Sequence, residues 1–177
     1  MLLAGENRKC RILVLCTGNS ARSIIAEALF NTIGGQYFDA VSAGSQPTGK
    51  VNPYALEQIA SLSLGYEPCS QSWDAFFTPE ASPIDVIVTV CDAAAATVCP
   101  MISTQASIQV SSQPVQVNWS LPDPAAATGN ETDVRTGFAQ CYAELERRIK
   151  KLITVIDSNL DEELDYVKLM TDVLEVT

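Results

Sequence analysis

The sequence predicts an α/β sandwich built on a parallel sheet of about four strands, and three observations carry that prediction. Short apolar runs at residues 12–15, 36–43, 84–90 and 115–119 alternate with stretches of helical periodicity, the order that builds strand–helix–strand units. The first run passes straight into a glycine-bearing turn and then a helix, and ligands bind at that carboxyl edge in sheets of this kind. Within 177 residues there is no internal repeat and no composition break before about residue 158, which defines a single domain over 1–158.

Residues 1–9 read as a frayed terminus, and Cys10 as a half-buried small hydrophobe ahead of the first strand. Ile12-Leu13-Val14-Leu15, bounded by charge on one side and Gly18 on the other, is a buried strand. A helix from about Ser23 to Ile33 presents Ile25, Ala28, Leu29 and Thr32 or Ile33 on one face and stops at Gly34-Gly35. Gln36 to Ala43 forms the second strand. Pro53 opens a helix through Ser63, with Leu56, Ile59, Ala60 and Leu62 at helical spacing. Ser70 to Asp74 leads into a short helical piece where Trp73 is core or pocket wall; Cys69 is structural. Ile84 to Val90 is the third strand, ending at Cys91-Asp92. Residues 101–114, rich in Ser, Gln and Thr, form a polar loop or insertion. Val115 to Trp119 is the fourth strand. Residues 131–156 make the longest helix, with Phe138, Cys141, Tyr142, Leu145, Ile149, Leu152 and Ile156 on one face, so Cys141 is core. Residues 159–177 read as an acidic C-terminal extension with a helical pattern over 160–176.

Composition narrows the function. Net charge is −10 with no basic cluster, which argues against nucleic acid and anionic membrane surfaces as partners. No apolar run approaches the ~18 residues of a membrane span, and no secretory signal opens the chain, so a cytoplasmic protein is expected. The absence of histidine removes Ser-His triads and His-containing metal sites, leaving Asp, Glu, Cys or Tyr for acid–base work. Six cysteines, with no CxxC pair among them, argue against structural zinc, and no resident metal or cofactor is expected.

The chemistry concentrates in Cys16-Thr17-Gly18-Asn19-Ser20-Ala21-Arg22-Ser23, between the first strand and the first helix. A loop closing from strand to helix turns successive backbone N–H groups inward as a nest for an oxyanion, above the positive end of the helix. Arg22 adds a planar fork of donors that matches a tetrahedral oxyanion. The same field favours thiolate over thiol, which makes Cys16 the nucleophile. Thr17, Gly18, Asn19, Ser20, Ala21, Arg22 and Ser23 are the expected substrate-binding residues. Gly18 permits a left-handed or crowded backbone. Cys91 also ends a strand, so it emerges at the same sheet edge as Cys16. Were residues 91–99 all helical, Cys91 and Cys99 would lie ~12 Å apart, beyond the ~7 Å that a disulfide tolerates. Pairing therefore requires this Ala-rich segment to unwind, and a segment with two states fits a redox relay.

CTGNSARS resembles the anion loop of the low-molecular-weight protein tyrosine phosphatase superfamily, and within it the thioredoxin-coupled arsenate reductases. SAGSQPTGKVNPYA, TVCDAAAATVCP and WSLPDPA resemble further segments of that group, and the resemblance covers about residues 11–156. It implies a three-layer sandwich with a four-stranded parallel sheet. It also implies a mechanism in which Cys16 attacks arsenate, Cys91 attacks the adduct and releases arsenite, and Cys99 then pairs with Cys91. Thioredoxin or another thiol would reduce that last disulfide. Asp123 of the Asp-Pro pair would be the general acid, and Ser42 would either brace the loop or be a turn serine. Asn19, Ser42, Ser72 and Asp74 match in type a monovalent-cation set found in such reductases. Asn118 stands where a histidine is frequent, and Ala21 where many relatives carry a second loop cysteine.

Two other functions use the same scaffold. A phosphatase of this fold, acting on phosphate esters, needs only Cys16, Arg22 and Asp123. An oxyanion or redox sensor needs no turnover. Cys91 and Cys99 separate the reductase from the phosphatase, because dephosphorylation has no use for them. LPDPAAATG also lacks the paired tyrosines with which phosphatases of this fold hold an aryl group.

Overall fold

The computed structural model describes residues 9–96, 114–158 and 169. Strands β1 (Cys10–Cys16), β2 (Phe38–Gly44), β3 (Val86–Thr89) and β4 (Val115–Asn118) form one parallel sheet in the order β2-β1-β3-β4. Helices α1 (Arg22–Ile33), α2 (Pro53–Ile59) and α3 (Glu131–Ser158) accompany it, with short 3₁₀ turns at Trp73–Phe76 and Pro124–Ala126.

Because β1 is central, both its faces are buried. Ile12 and Val14 point into the main apolar cluster with α1, α2 and α3, while Leu13 and Leu15 point to the opposite face. There they meet Ala43, Ile87, Trp73 and Ile84, so the two sides of the sheet are covered by different layers. Phe30 of α1 ties the main cluster together, edge-on to Phe38 at 5.3 Å and stacked on Trp119 at 5.7 Å. The stripe expected on α3 is the observed one for Phe138, Cys141, Leu145, Ile149, Leu152 and Ile156.

Several boundaries differ from the sequence reading, each for a tertiary reason. Cys10 is buried and is the first residue of β1, because its N–H donates to Tyr37 O at 2.8 Å and the ladder starts there. Strand β2 starts at Phe38, since Gly34 O accepts from both Tyr37 N and Phe38 N and closes a turn over residues 34–37. Helix α2 stops at Ile59 instead of Ser63. It buries Ala55 and Ile59, and Leu62 packs against the core beyond its end, while Leu56 lies exposed, so the expected spacing holds at Ile59 and Leu62 and fails at Leu56. Helix α1 has no single stripe: Ile24, Ile25, Ala26, Ala28, Leu29 and Phe30 are all buried, since it is packed between the sheet and α3.

Cys99, most of the polar segment 101–114 and almost all of the C-terminal extension lie outside the described residues. Leu169 is the exception, and it is buried in the main cluster. That point of the C-terminal segment therefore belongs to the same core.

Candidate active site

The register of the sheet builds the site. Cys16 pairs with Gly44, so β1 and β2 end side by side and the loop after β1 lies over the end of β2. The approach is close enough to require glycine at 44, because a Cβ there would come 2.5 Å from Thr17 O. Three loop carbonyls face outward onto the strap of residues 46–52. Thr17 O accepts from Gln46 N at 2.9 Å, Gly18 O from Thr48 N at 3.0 Å and Ser20 O from Asn52 N at 2.9 Å. With these oxygens engaged outside, the concave side is left to the loop's N–H groups, of which Asn19 N donates to Cys16 Sγ at 3.1 Å.

The left-handed residue is Asn19 (φ 43°) instead of Gly18, whose missing side chain serves to admit the Thr48 methyl. Asn19 tolerates that conformation because its short amide bonds locally. Its side chain is fully buried and spends every group: Nδ2 donates to Ser23 Oγ and to Ser42 Oγ, both at 2.9 Å, and Oδ1 accepts from Gln71 N at 2.7 Å. Ser42 in turn donates to Glu27 Oε2. Donation thus runs outward from the Asn19 amide, to Ser42 and on to Glu27 on one side and to Ser23 on the other. Ser23 Oγ accepts from Asn19, so its hydrogen is left for Cys16 Sγ, 3.0 Å away. Asn19 N adds a second donor to the sulfur at 3.1 Å. Cys16 is thus buried at the mouth of the loop with two donors on its sulfur, an arrangement that stabilises negative charge there.

Arg22 opens α1 and is largely buried. Its Nη1 donates to Leu121 O at 2.9 Å and its Nη2 lies 3.4 Å from Asp123 Oδ2, which fixes the guanidinium by its outer edge. Asp123 is half exposed, and its Oδ1 caps the Pro124–Ala126 turn by accepting from Ala125 N. On the other side of the loop, Cys91 Sγ is 3.5 Å from Thr17 Oγ1. Cys91 is buried, and its carbonyl starts a helical turn over residues 92–96 by accepting from Ala95 N. Cys16, Arg22, Cys91 and Asp123 are therefore gathered at one sheet edge, whereas Cys99 lies outside the described residues. All five described cysteines are free thiols.

Of the cation set expected from the sequence, the hydrogen bonds join the members in two pairs. Asn19 and Ser42 meet in the buried network, but Ser72 and Asp74 bond each other at an exposed 3₁₀ cap, with Ser72 Oγ 2.8 Å from Asp74 Oδ2. Gln71 explains the division, since its N–H occupies Asn19 Oδ1 and its side-chain amide donates to Ser42 O at 3.0 Å. No cluster of three or more His, Cys, Asp or Glu suited to a metal ion occurs among the described residues. The sequence reading missed Glu27 and Gln71. Glu27 looked like an ordinary helix glutamate, yet burial pushes its carboxyl above the usual range. Cys141, on the buried face of α3, feels the charges of Arg22 and Asp123, and desolvation pushes its thiol up to about 12.

A sequence profile of the low molecular weight phosphotyrosine protein phosphatases matches residues 11–164. The chain belongs to that family. As a low-molecular-weight phosphatase family member it is 34% identical to an arsenate reductase of Halalkalibacterium halodurans over 139 residues, 78% of this chain and 91% of the relative. It is 31% identical to an arsenate reductase of Bacillus subtilis over 140 residues, 79% and 92% of the two chains. Its fold is that of an arsenate reductase solved in the phosphate binding state, with a TM-score of 0.55 at 21% identity over 81% of this chain and 98% of that one. It is equally that of the tyrosine phosphatase AmsI of Erwinia amylovora, with a TM-score of 0.61 at 20% identity over 86% and 96%. The family fold thus houses both chemistries, and the residues around the loop must discriminate them.

Proposed function

We infer that this chain is an arsenate reductase. The observation that carries the reading is the thiol of Cys91 held against Thr17 of the anion loop, where a phosphatase needs no sulfur. The identity of 34% to a named arsenate reductase, across most of both chains, points the same way.

The proposed reaction uses groups already described. Arsenate sits in the nest of loop N–H groups with Arg22 across it. The Cys16 thiolate attacks arsenic, and an oxygen leaves as water with a proton from Asp123. Cys91 thiolate then attacks Cys16 Sγ. The sulfur–arsenic bond breaks, its electron pair stays on arsenic, and arsenite departs as a Cys16–Cys91 disulfide forms. Attack by Cys99 on Cys91 frees Cys16 and leaves a Cys91–Cys99 disulfide. A thiol reductant, for which we propose thioredoxin, would reduce it in the cytoplasm. No helix among the described residues is long and apolar enough to cross a membrane.

The test is arsenate-dependent oxidation of reduced thioredoxin by the purified chain, run beside hydrolysis of a small aryl phosphate. Reductase turnover that disappears in Cys16→Ser supports the reading. Aryl phosphate turnover with no arsenate-dependent oxidation, with thioredoxin or glutaredoxin as donor, would favour the phosphatase.

A further inference from the structure

The charge distribution poses a problem for a doubly negative substrate. The chain carries −10 overall, and a field of that sign repels an approaching anion. Arg22 is already shared with Asp123, and Asp92 follows Cys91 on the same edge, so the site's own cation is offset by nearby carboxylates. Between Arg22 and Arg135 the sequence contains a single positive residue, Lys50.

Lys50 lies on the strap that is bonded to the anion loop. Thr48, two residues earlier, donates its N–H to Gly18 O and inserts its methyl against Gly18. Its hydroxyl donates to Lys50 O at 2.8 Å, which fixes the turn through Gly49 (φ 72°). Gly49 N reaches Ser70 Oγ at 3.2 Å, and Ser70 Oγ returns to Gly18 O at 3.3 Å. The backbone of Lys50 is thus tied to the anion loop by bonds from both sides. Its side chain is exposed, and no carboxylate pairs with it among the described residues.

We propose that Lys50 is the steering cation of this site, drawing a tetrahedral oxyanion dianion to the anion loop against the protein's overall negative field. The proposal rests on the oxyanion-binding reading of the loop. It predicts an effect on capture of the anion, with little effect on the chemical steps at sulfur. For an assumed separation of ~10 Å in water-like surroundings, a unit charge changes the binding of a dianion by about threefold at ~10 mM salt, and charge reversal by about tenfold.

The experiment measures inorganic phosphate binding by calorimetry, and KM and kcat for arsenate, in wild type, Lys50→Arg, Lys50→Gln and Lys50→Glu. At ~10 mM salt, phosphate Kd and arsenate KM should rise about threefold in Lys50→Gln and about tenfold in Lys50→Glu, with Lys50→Arg near wild type. At ~0.5 M salt the differences should collapse, since screening then acts over about 4 Å. Lys50→Glu binding phosphate as tightly as wild type at low salt would overturn the proposal. So would a loss that persists undiminished at high salt, which would mark a steric role. Wild type that binds phosphate but reduces no arsenate would remove the reductase reading and leave the Lys50 comparison intact. Wild type that binds no phosphate would overturn both.

Discussion

Replacing Asn19 with alanine should remove three buried hydrogen bonds at once. The side chain makes three bonds at 2.7–2.9 Å, to Ser23, Ser42 and Gln71, and all are buried. At about 1 kcal/mol net for each bond, their loss costs about 3 kcal/mol. Alanine must also hold φ 43°, a left-handed conformation that adds about 1 kcal/mol for a residue with a Cβ and no local side-chain bond. The expected destabilisation is therefore about 4 kcal/mol, a large fraction of a typical domain's 5–15 kcal/mol. Asn19→Gly separates the two contributions, because glycine loses the same bonds yet accepts the conformation. It should recover up to about 1 kcal/mol, less its own greater chain entropy in the unfolded state. Urea unfolding at neutral pH measures both variants, and the slope should stay that of wild type. An Asn19→Ala variant within about 1 kcal/mol of wild type would refute the argument that this side chain holds the loop. A glycine variant clearly worse than the alanine one would refute the strain component.

Three further outcomes follow from the same geometry. Cys91→Ser and Cys99→Ser should each abolish arsenate reduction while leaving aryl phosphate hydrolysis within about twofold, since a serine cannot carry a disulfide; equal loss of both activities would mean that these cysteines are structural. Asp123→Asn should slow aryl phosphate hydrolysis by roughly 10²-fold for poor leaving groups and much less for good ones, and a uniform loss would argue against proton donation. Glu144 is held down to about 2, chiefly by the hydrogen bond from Arg147 and then by Arg148. A depressed carboxylate adds stability above its unfolded value of 4.5 and loses it as pH falls through about 2. The stability gap between wild type and Glu144→Gln, measured by urea unfolding, should therefore narrow from about pH 6 to about pH 3; a gap that widens would contradict the sign.

Much of the site was legible because its chemistry is local. Cys16 and Arg22 are joined by one loop, and an apolar run followed by Gly18 and a helix-forming stretch fixes where that loop must stand. Cys91 could be placed near it because Cys16 ends one parallel strand and Cys91 follows closely on another, and parallel strands deliver their carboxyl ends to one edge. What was misread had two causes. In α2 the periodic residue Leu56 is solvent-facing, and the sequence does not say which of two apolar faces a short helix will bury. In the cation set, residue type alone grouped Ser72 and Asp74 with Asn19, whereas Gln71, one residue away, is the group that reaches the network.

By itself the sequence determined the alternating elements, the nucleophile, its arginine and the lack of any imidazole chemistry, because these depend on spacing along a few residues and on composition. The tertiary structure alone decided the direction of the bonds reaching Cys16. Donation spreads from the Asn19 amide to Ser42 and Glu27 on one side and to Ser23 beside Cys16 on the other, among residues up to 23 positions apart, and it exists only where β1 and β2 end in register. The structure likewise decided that Asp123, some hundred residues along the chain, holds the outer edge of Arg22. Neither is readable from one dimension, since a hydrogen bond's polarity and an ion pair's partner depend on which groups share a buried space.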